Sequence, residues 1–208
     1  AAPAAAAGLL APLAWRQAHL YRDVRTFYRL TLQENPNAWM ADVNLGLIEL
    51  NAHREAEASA LFAAAIRIYP GSAEARNSYG TTLVDAGRFD EAYAQYQAAL
   101  RIDPDFPAAY SNLGVLYAKT GRADEAEEAF RHALRINPSF PEALLGLGNM
   151  RFARGDLEGA MERYRSALRI NPAYGAAHQN LGYALRAAGR EAEARAEFGA
   201  AARLGVRP

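Results

Sequence analysis

The chain has 208 residues, of which 51% are hydrophobic and 22% charged, and its formal net charge is zero. This composition supports a buried core and excludes a disordered chain, and the neutral balance counts against a nucleic-acid partner. There is no cysteine, so disulfides and thiolate zinc sites are excluded, and no run of 18 apolar residues is present to form a complete transmembrane helix.

Taken in chain order, residues 1–14 form an apolar Ala/Pro-rich leader, too short to span a bilayer and without the basic start of a signal peptide. Residues 15–38 are expected to form a capping helix, a half-repeat in which Tyr28 and Pro36 take the places of a repeat's aromatic and terminal proline. Five units of 34 residues follow without insertion, at 39–72, 73–106, 107–140, 141–174 and 175–208. Pro70, Pro104, Pro138 and Pro172 mark the period. So do the glycines Gly46, Gly80, Gly114, Gly148 and Gly182, the alanines Ala58, Ala92, Ala126, Ala160 and Ala194, and the aromatics Phe62, Tyr96, Phe130, Tyr164 and Phe198.

Each unit is expected to hold two helices, A and B; in the third, A covers about 107–120 and B about 123–136. Pro107 and Pro141 suit first helical positions, where a missing N–H costs nothing. Gly87, Gly121, Gly155 and Gly189 suit left-handed caps between A and B, with His53 in that place in the first unit. Asp103-Pro104, Asn137-Pro138 and Asn171-Pro172 end the B helices. Gly114 is expected to lie against Ala126, with the aromatics filling the seam to the next unit. Leu100, Leu134 and Leu168, with Ile102, Ile136 and Ile170, are expected to be buried by stacked neighbours. In the last unit Ala202 replaces the leucine, as suits an end face, which suggests that Pro208 lies near the natural C-terminus.

The 34-residue period with its Leu-Gly, Ala, aromatic and Pro positions resembles the tetratricopeptide repeat family. The resemblance implies an all-α, right-handed superhelical solenoid of helix-turn-helix repeats, acting as a protein–protein interaction scaffold that takes a peptide or helix of a partner in its concave groove. In that family helix A lines the groove. The corresponding candidate partner-binding residues here are Asn44, Asn77, Ser78, Thr81, Asn112, Lys119, Asn149, Gln179, Asn180 and Tyr183. Asparagine offers both a donor and an acceptor and can grip a peptide backbone whatever its side chains. Asn44, Asn112 and Asn180 resemble the asparagine ladder of the repeat domain of O-GlcNAc transferases, interrupted here by Ser78 and Gly146; N-L-G is also a common consensus form. The groove lacks clustered lysines and arginines for a charged tail.

No catalytic or metal site is expected, and no cofactor: His19, His53, His132 and His178 have no metal-binding spacing, and the paired carboxylates read as solvated charge. Arg67, Arg101, Arg135, Arg169 and Arg203 form a ladder expected to pair with nearby carboxylates along an outer edge of helix B. The segment Trp15–Gly46 also resembles the junction between membrane domain and repeats in bacterial proteins that join a glycosyltransferase-like membrane domain to a tetratricopeptide tail. The alternative function is therefore a soluble accessory or substrate-recruiting domain of such an enzyme. Leu9, Leu10, Leu13 and Trp15, followed by Arg16, Tyr21, Arg22 and Arg25, fit the end of a membrane tether; packing as a cap is the competing reading. A cytoplasmic location is the default, membrane association the alternative, and the oligomeric state is open.

Overall fold

The computed structural model describes residues 24–206, which form eleven α-helices and no strand. The expected leader, residues 15–23 of the expected capping helix, and Pro208 lie outside them. The chain divides into two compact units, residues 1–88 and 89–208. In the first unit are α1 (Val24–Glu34), α2 (Trp39–Asn51), α3 (Glu55–Ile68) and α4 (Ala73–Asp85). In the second are α5 (Phe89–Ile102), α6 (Pro107–Lys119), α7 (Ala123–Ile136), α8 (Pro141–Ala153), α9 (Leu157–Ile170), α10 (Gly175–Ala187) and α11 (Glu191–Arg203).

The punctuation expected from sequence works as local chemistry. Pro107 and Pro141 open α6 and α8, and Ser72 and Asp156 cap α4 and α9 by accepting from the N–H of Ala75 and Gly159. After α7 and α9 the Asn137 and Asn171 side chains each accept the N–H two residues on, at 3.0 Å, and Asp103 does so after α5 at 3.1 Å. Gly121 has a φ of 78°. Its N–H donates to Ala118 O at 3.2 Å and that of Arg122 to Tyr117 O at 2.8 Å, a Schellman closure. His53 makes the same turn with a φ of 55°, a left-handed conformation that a side chain disfavours.

Aromatic rings set the packing. A methyl group at Gly114 would lie 2.8 Å from the Phe130 ring, at Gly46 2.7 Å from Phe62, at Gly182 2.6 Å from Phe198, and at Gly148 closer still to Tyr164. The nearest group to a Cβ at Gly114 is thus the Phe130 ring, one turn along α7 from the expected Ala126. Phe130 also lies against Gly146 of α8, again too close for a methyl, so one ring ties its own hairpin to the next. It is 1% exposed, and full burial of such a ring contributes about 1.5–3 kcal/mol. The leucines of the B helices enter these cores, with Leu134 against Ala133 and Leu147 and Leu168 against Ala167 and Ala177. Ile102 and Ile170 do not: about 40% of each stays exposed, because two residues further along a helix points some 200° round from the leucine.

In the first unit α1 is held by a charge. Glu49 of α2 is buried, and its carboxylate accepts from Arg25 of α1 at 2.8 Å, from Arg29 of α1 at 3.4 Å and from Arg54. Arg25 and Arg29 are four apart and so share one face of α1. Asp42 is also buried; burial raises its pKa and Arg67 partly offsets the rise. At the other end Gly205, with a φ of 82°, turns the chain after α11. Val206 then lies over Gly175, leaving no room there for a Cβ.

Two stability measurements test this packing. Gly146→Ala should destabilise the chain by about 1–3 kcal/mol in urea melts, and adding Phe130→Leu should recover part of the loss; strict additivity of the two changes would reject the ring contact. His53→Gly should instead raise stability by about 0.5–1 kcal/mol, since it relieves the left-handed side chain at the cost of a freer unfolded chain.

Candidate functional site

In the second unit α6, α8 and α10 place their expected groove positions along one lined surface. Between α6 and α8 lies a cavity of about 440 Å³. Asn112, Val115 and Lys119 line it from α6, Glu142, Leu145 and Asn149 from α8, and Phe130 beneath Gly146. A second cavity, of about 260 Å³, is lined by Asn149, Phe152, Tyr164, Asn180 and Tyr183. Asn149 is common to both.

The amide of Asn149 is held in one orientation. Its Oδ1 accepts from the Tyr164 hydroxyl at 2.8 Å and from Asn180 Nδ2 at 2.8 Å. Burial raises the Tyr164 phenol well above its usual pKa, so it remains a donor. With Oδ1 doubly engaged, Nδ2 is directed away from these two groups, and no acceptor among the described residues meets it. At the far side Tyr183 meets Phe198 edge-on at 5.2 Å, and the Arg186 guanidinium lies 5.2 Å from the Tyr183 ring. Burial, with Glu142 adding to it, raises the Tyr174 phenol on the wall of the first cavity to about 12. Lys119 and Glu142 are exposed and have no ion-pair partner among the described residues.

The structure brings together Asn112, Lys119, Asn149, Asn180 and Tyr183. Gln179 is half-buried and lines neither cavity. Asn44, Asn77, Ser78 and Thr81 belong to the first unit. Asn77 and Ser78 are buried, Thr81 donates to Asn77 O at 3.3 Å, and Asn44 Nδ2 closes onto Met40 O of its own helix at 2.8 Å. Tyr164 was expected only as seam filler. Its hydroxyl, absent from the phenylalanines at the equivalent positions in 39–72, 107–140 and 175–208, was the signal for a polar contact with helix A. Of the arginine ladder, Arg67 acts on the buried Asp42 carboxylate and Arg169 donates to Ser166 Oγ at 2.8 Å, while the ion pairs of the second unit use Arg122, Arg131, Arg151, Arg154 and Arg190. Among the described residues no group of three or more His, Asp and Glu could hold a metal ion, and no helix is long and apolar enough to cross a membrane.

Hairpins of 13- and 14-residue helices, joined by glycine turns and seated ring on glycine, define a helical-repeat protein. Family models for the TPR repeat match residues 80–121 and 148–189, and tetratricopeptide repeat models match 107–140 and 9–73. The chain belongs to the tetratricopeptide repeat family. The last of these matches begins within the stretch expected as a leader. No curated protein matches the chain significantly. Among solved structures, the APC/C hetero-tetramer Cut9-Hcn1 is similar at a TM-score of 0.81 and 20% identity, over 87% of this chain and 36% of that one; this chain thus spans about a third of that relative's length. A tetratricopeptide repeat protein of Thermus thermophilus matches at 0.74 and 21%, over 80% of this chain and 91% of its own. YrrB, described as having an unusual peptide-binding site, matches at 0.54 and 19%, over 85% and 91%. At such identities the likeness is one of fold. Of the segment Trp15–Gly46, in which a membrane-enzyme junction was expected, residues 15–23 lie outside the described residues.

The Tyr164 hydroxyl gives this site a direct test. Tyr164→Phe should cost about 0.5–1.5 kcal/mol in chemical denaturation, the usual worth of one hydrogen bond, and should shift the Asn149 and Asn180 side-chain amide signals in NMR spectra. Unmoved amide signals would refute the contact.

Proposed function

We propose that the chain is an interaction module whose second unit binds a peptide or helix of a partner protein along α6, α8 and α10. The observation that carries this reading is Asn149: a side-chain amide fixed by two hydrogen bonds, with its free donor between two largely apolar cavities. Such a donor suits a main-chain carbonyl, while the cavities on either side suit apolar side chains. Lys119 and Glu142 add one unpaired charge of each sign, which favours a partner carrying both over a uniformly charged tail. The neutral net charge supports a protein over a nucleic acid. YrrB's described peptide-binding site adds a parallel at the level of fold. On this reading the chain works by binding and not by catalysis, and of the residues expected to bind, Asn112, Lys119, Asn149, Asn180 and Tyr183 do so.

The purified full chain, panned against a displayed random-peptide library, should enrich peptides with apolar residues. Asn149→Asp retains the acceptor for Tyr164 and Asn180 but loses the free donor. It should weaken the enriched peptides roughly fivefold, equivalent to about 1 kcal/mol, and Val115→Asp should weaken them more. Failure to enrich any peptide, or equal binding to both variants, would reject the groove.

A further inference from the structure

A cavity of about 380 Å³ lies where α7, α8 and α9 meet, and it is not part of the groove. On α8 the groove takes Leu145 and Asn149, whereas this cavity takes Leu147 and Arg151, which the helical period puts on opposite faces. Four arginines converge on it: Arg131 and Arg135 from α7, Arg151 from α8 and Arg163 from α9. Glu127 is the one carboxylate in the lining, and it is already shared between Arg131 and Arg154, the latter at 2.5 Å. Arg151 pairs with Asp156 at 2.7 Å. Arg135 has no ion pair among the described residues, and the Nε of Arg163 is buried without a hydrogen-bond partner. The lining therefore carries four positive charges against one negative.

The repeat supplies an internal control. One period later the five charged positions, Glu127, Arg131, Arg135, Arg151 and Arg163, read Met161, Arg165, Arg169, Leu185 and Glu197. There Met161 and Leu185 are fully buried and close the space as core. One period earlier they read Tyr93, Gln97, Arg101, Tyr117 and Ala129, and the Tyr93 and Tyr117 rings meet 6.2 Å apart. The arginine at Arg135 thus belongs to the general ladder, and that at Arg131 recurs one period later as Arg165, whereas the positions of Arg151 and Arg163 carry arginine only at this junction of the second unit. Arg151 stands where its neighbours carry a half-buried tyrosine or a buried leucine, and an arginine there gives up core packing. Gathering like charges around an open space is costly unless an anion answers them.

We infer that this cavity binds a phosphate dianion, free or carried on a phosphorylated side chain. The planar, doubly donating guanidinium matches phosphate oxygens in pairs, and arginine keeps its charge at all physiological pH. The site shares no residue with the groove, so the two can fail separately.

The test is a titration of the ¹⁵N-labelled full chain at pH 7.5 and fixed ionic strength, following the arginine Nε–H signals. Inorganic phosphate should give saturable shifts at Arg163 below about 10 mM. Arg151→Leu with Arg163→Ala installs the residues that adjoining repeats carry at these positions, so the fold should hold, and phosphate should bind at least roughly tenfold more weakly. Arg135→Gln, at an exposed position, should weaken it without altering the melting temperature. A phosphoserine peptide that binds tighter than inorganic phosphate, while its unphosphorylated form does not bind, assigns the site to a phosphorylated protein; equal binding assigns it to a free phosphorylated compound. Shifts that do not saturate, or that persist unchanged in the double variant, overturn the site.

Discussion

The Phe130 ring sets how closely two successive hairpins of the second unit approach. Phe130 lies on Gly114 of its own hairpin and on Gly146 of the next, and neither position has room for a methyl group. Protein interiors are close-packed, so a ring seated against both glycines leaves the two hairpins little freedom in how they approach. The requirement has a consequence for the proposed groove. Residue 146 is where an asparagine rung would stand in the fourth repeat, and a side chain there would displace the ring beneath. Asn149, one turn further along α8, supplies the amide instead, and the space over Gly146 opens as an apolar cavity.

The rung at Asn149 also differs in kind from a flexible surface asparagine. Its Oδ1 is engaged by Tyr164 from below and by Asn180 from the neighbouring helix A. Ordering a side chain on binding costs free energy, and here the order is present before any partner arrives. The first unit uses its polar groups differently. Asn44 bonds to its own helix, Asn77 and Ser78 are buried, and the buried Glu49 carboxylate gathers three arginines to hold α1 on α2. Removing that carboxylate would leave Arg25 and Arg29 without the contacts that orient their helix.

Helix α8 is central to both surfaces of interest. One face carries Leu145 and Asn149 into the groove, and the opposite face carries Arg151 into the arginine cavity. A helix that must also bury Ala143, Leu144 and Leu147 in the core has little surface left for solvent. Its neighbours α6 and α10 share the period but not the substitutions: Tyr117 and Leu185 stand where α8 has Arg151.

The sequence by itself determined the helices, their turns and their repeat. Those depend on local rules: proline at a first turn, glycine at a left-handed cap, Asn-Pro at an end, and a period too regular to admit another fold. It also pointed to Asn112, Asn149 and Asn180 as groove residues, since the family's helix A positions could be read by number. Tertiary structure decided what surrounds each of them. Gly114 lies nearest the Phe130 ring, because a ring reaches farther across a hairpin than an alanine does. Asn149 is oriented by a tyrosine fifteen residues away and an asparagine thirty-one away, in separate helices. The arginine ladder shows the same division. Its period is plain in the sequence, but the meeting of Arg131, Arg135, Arg151 and Arg163 around one cavity depends on how three helices pack, and spacing along the chain does not encode which faces will meet.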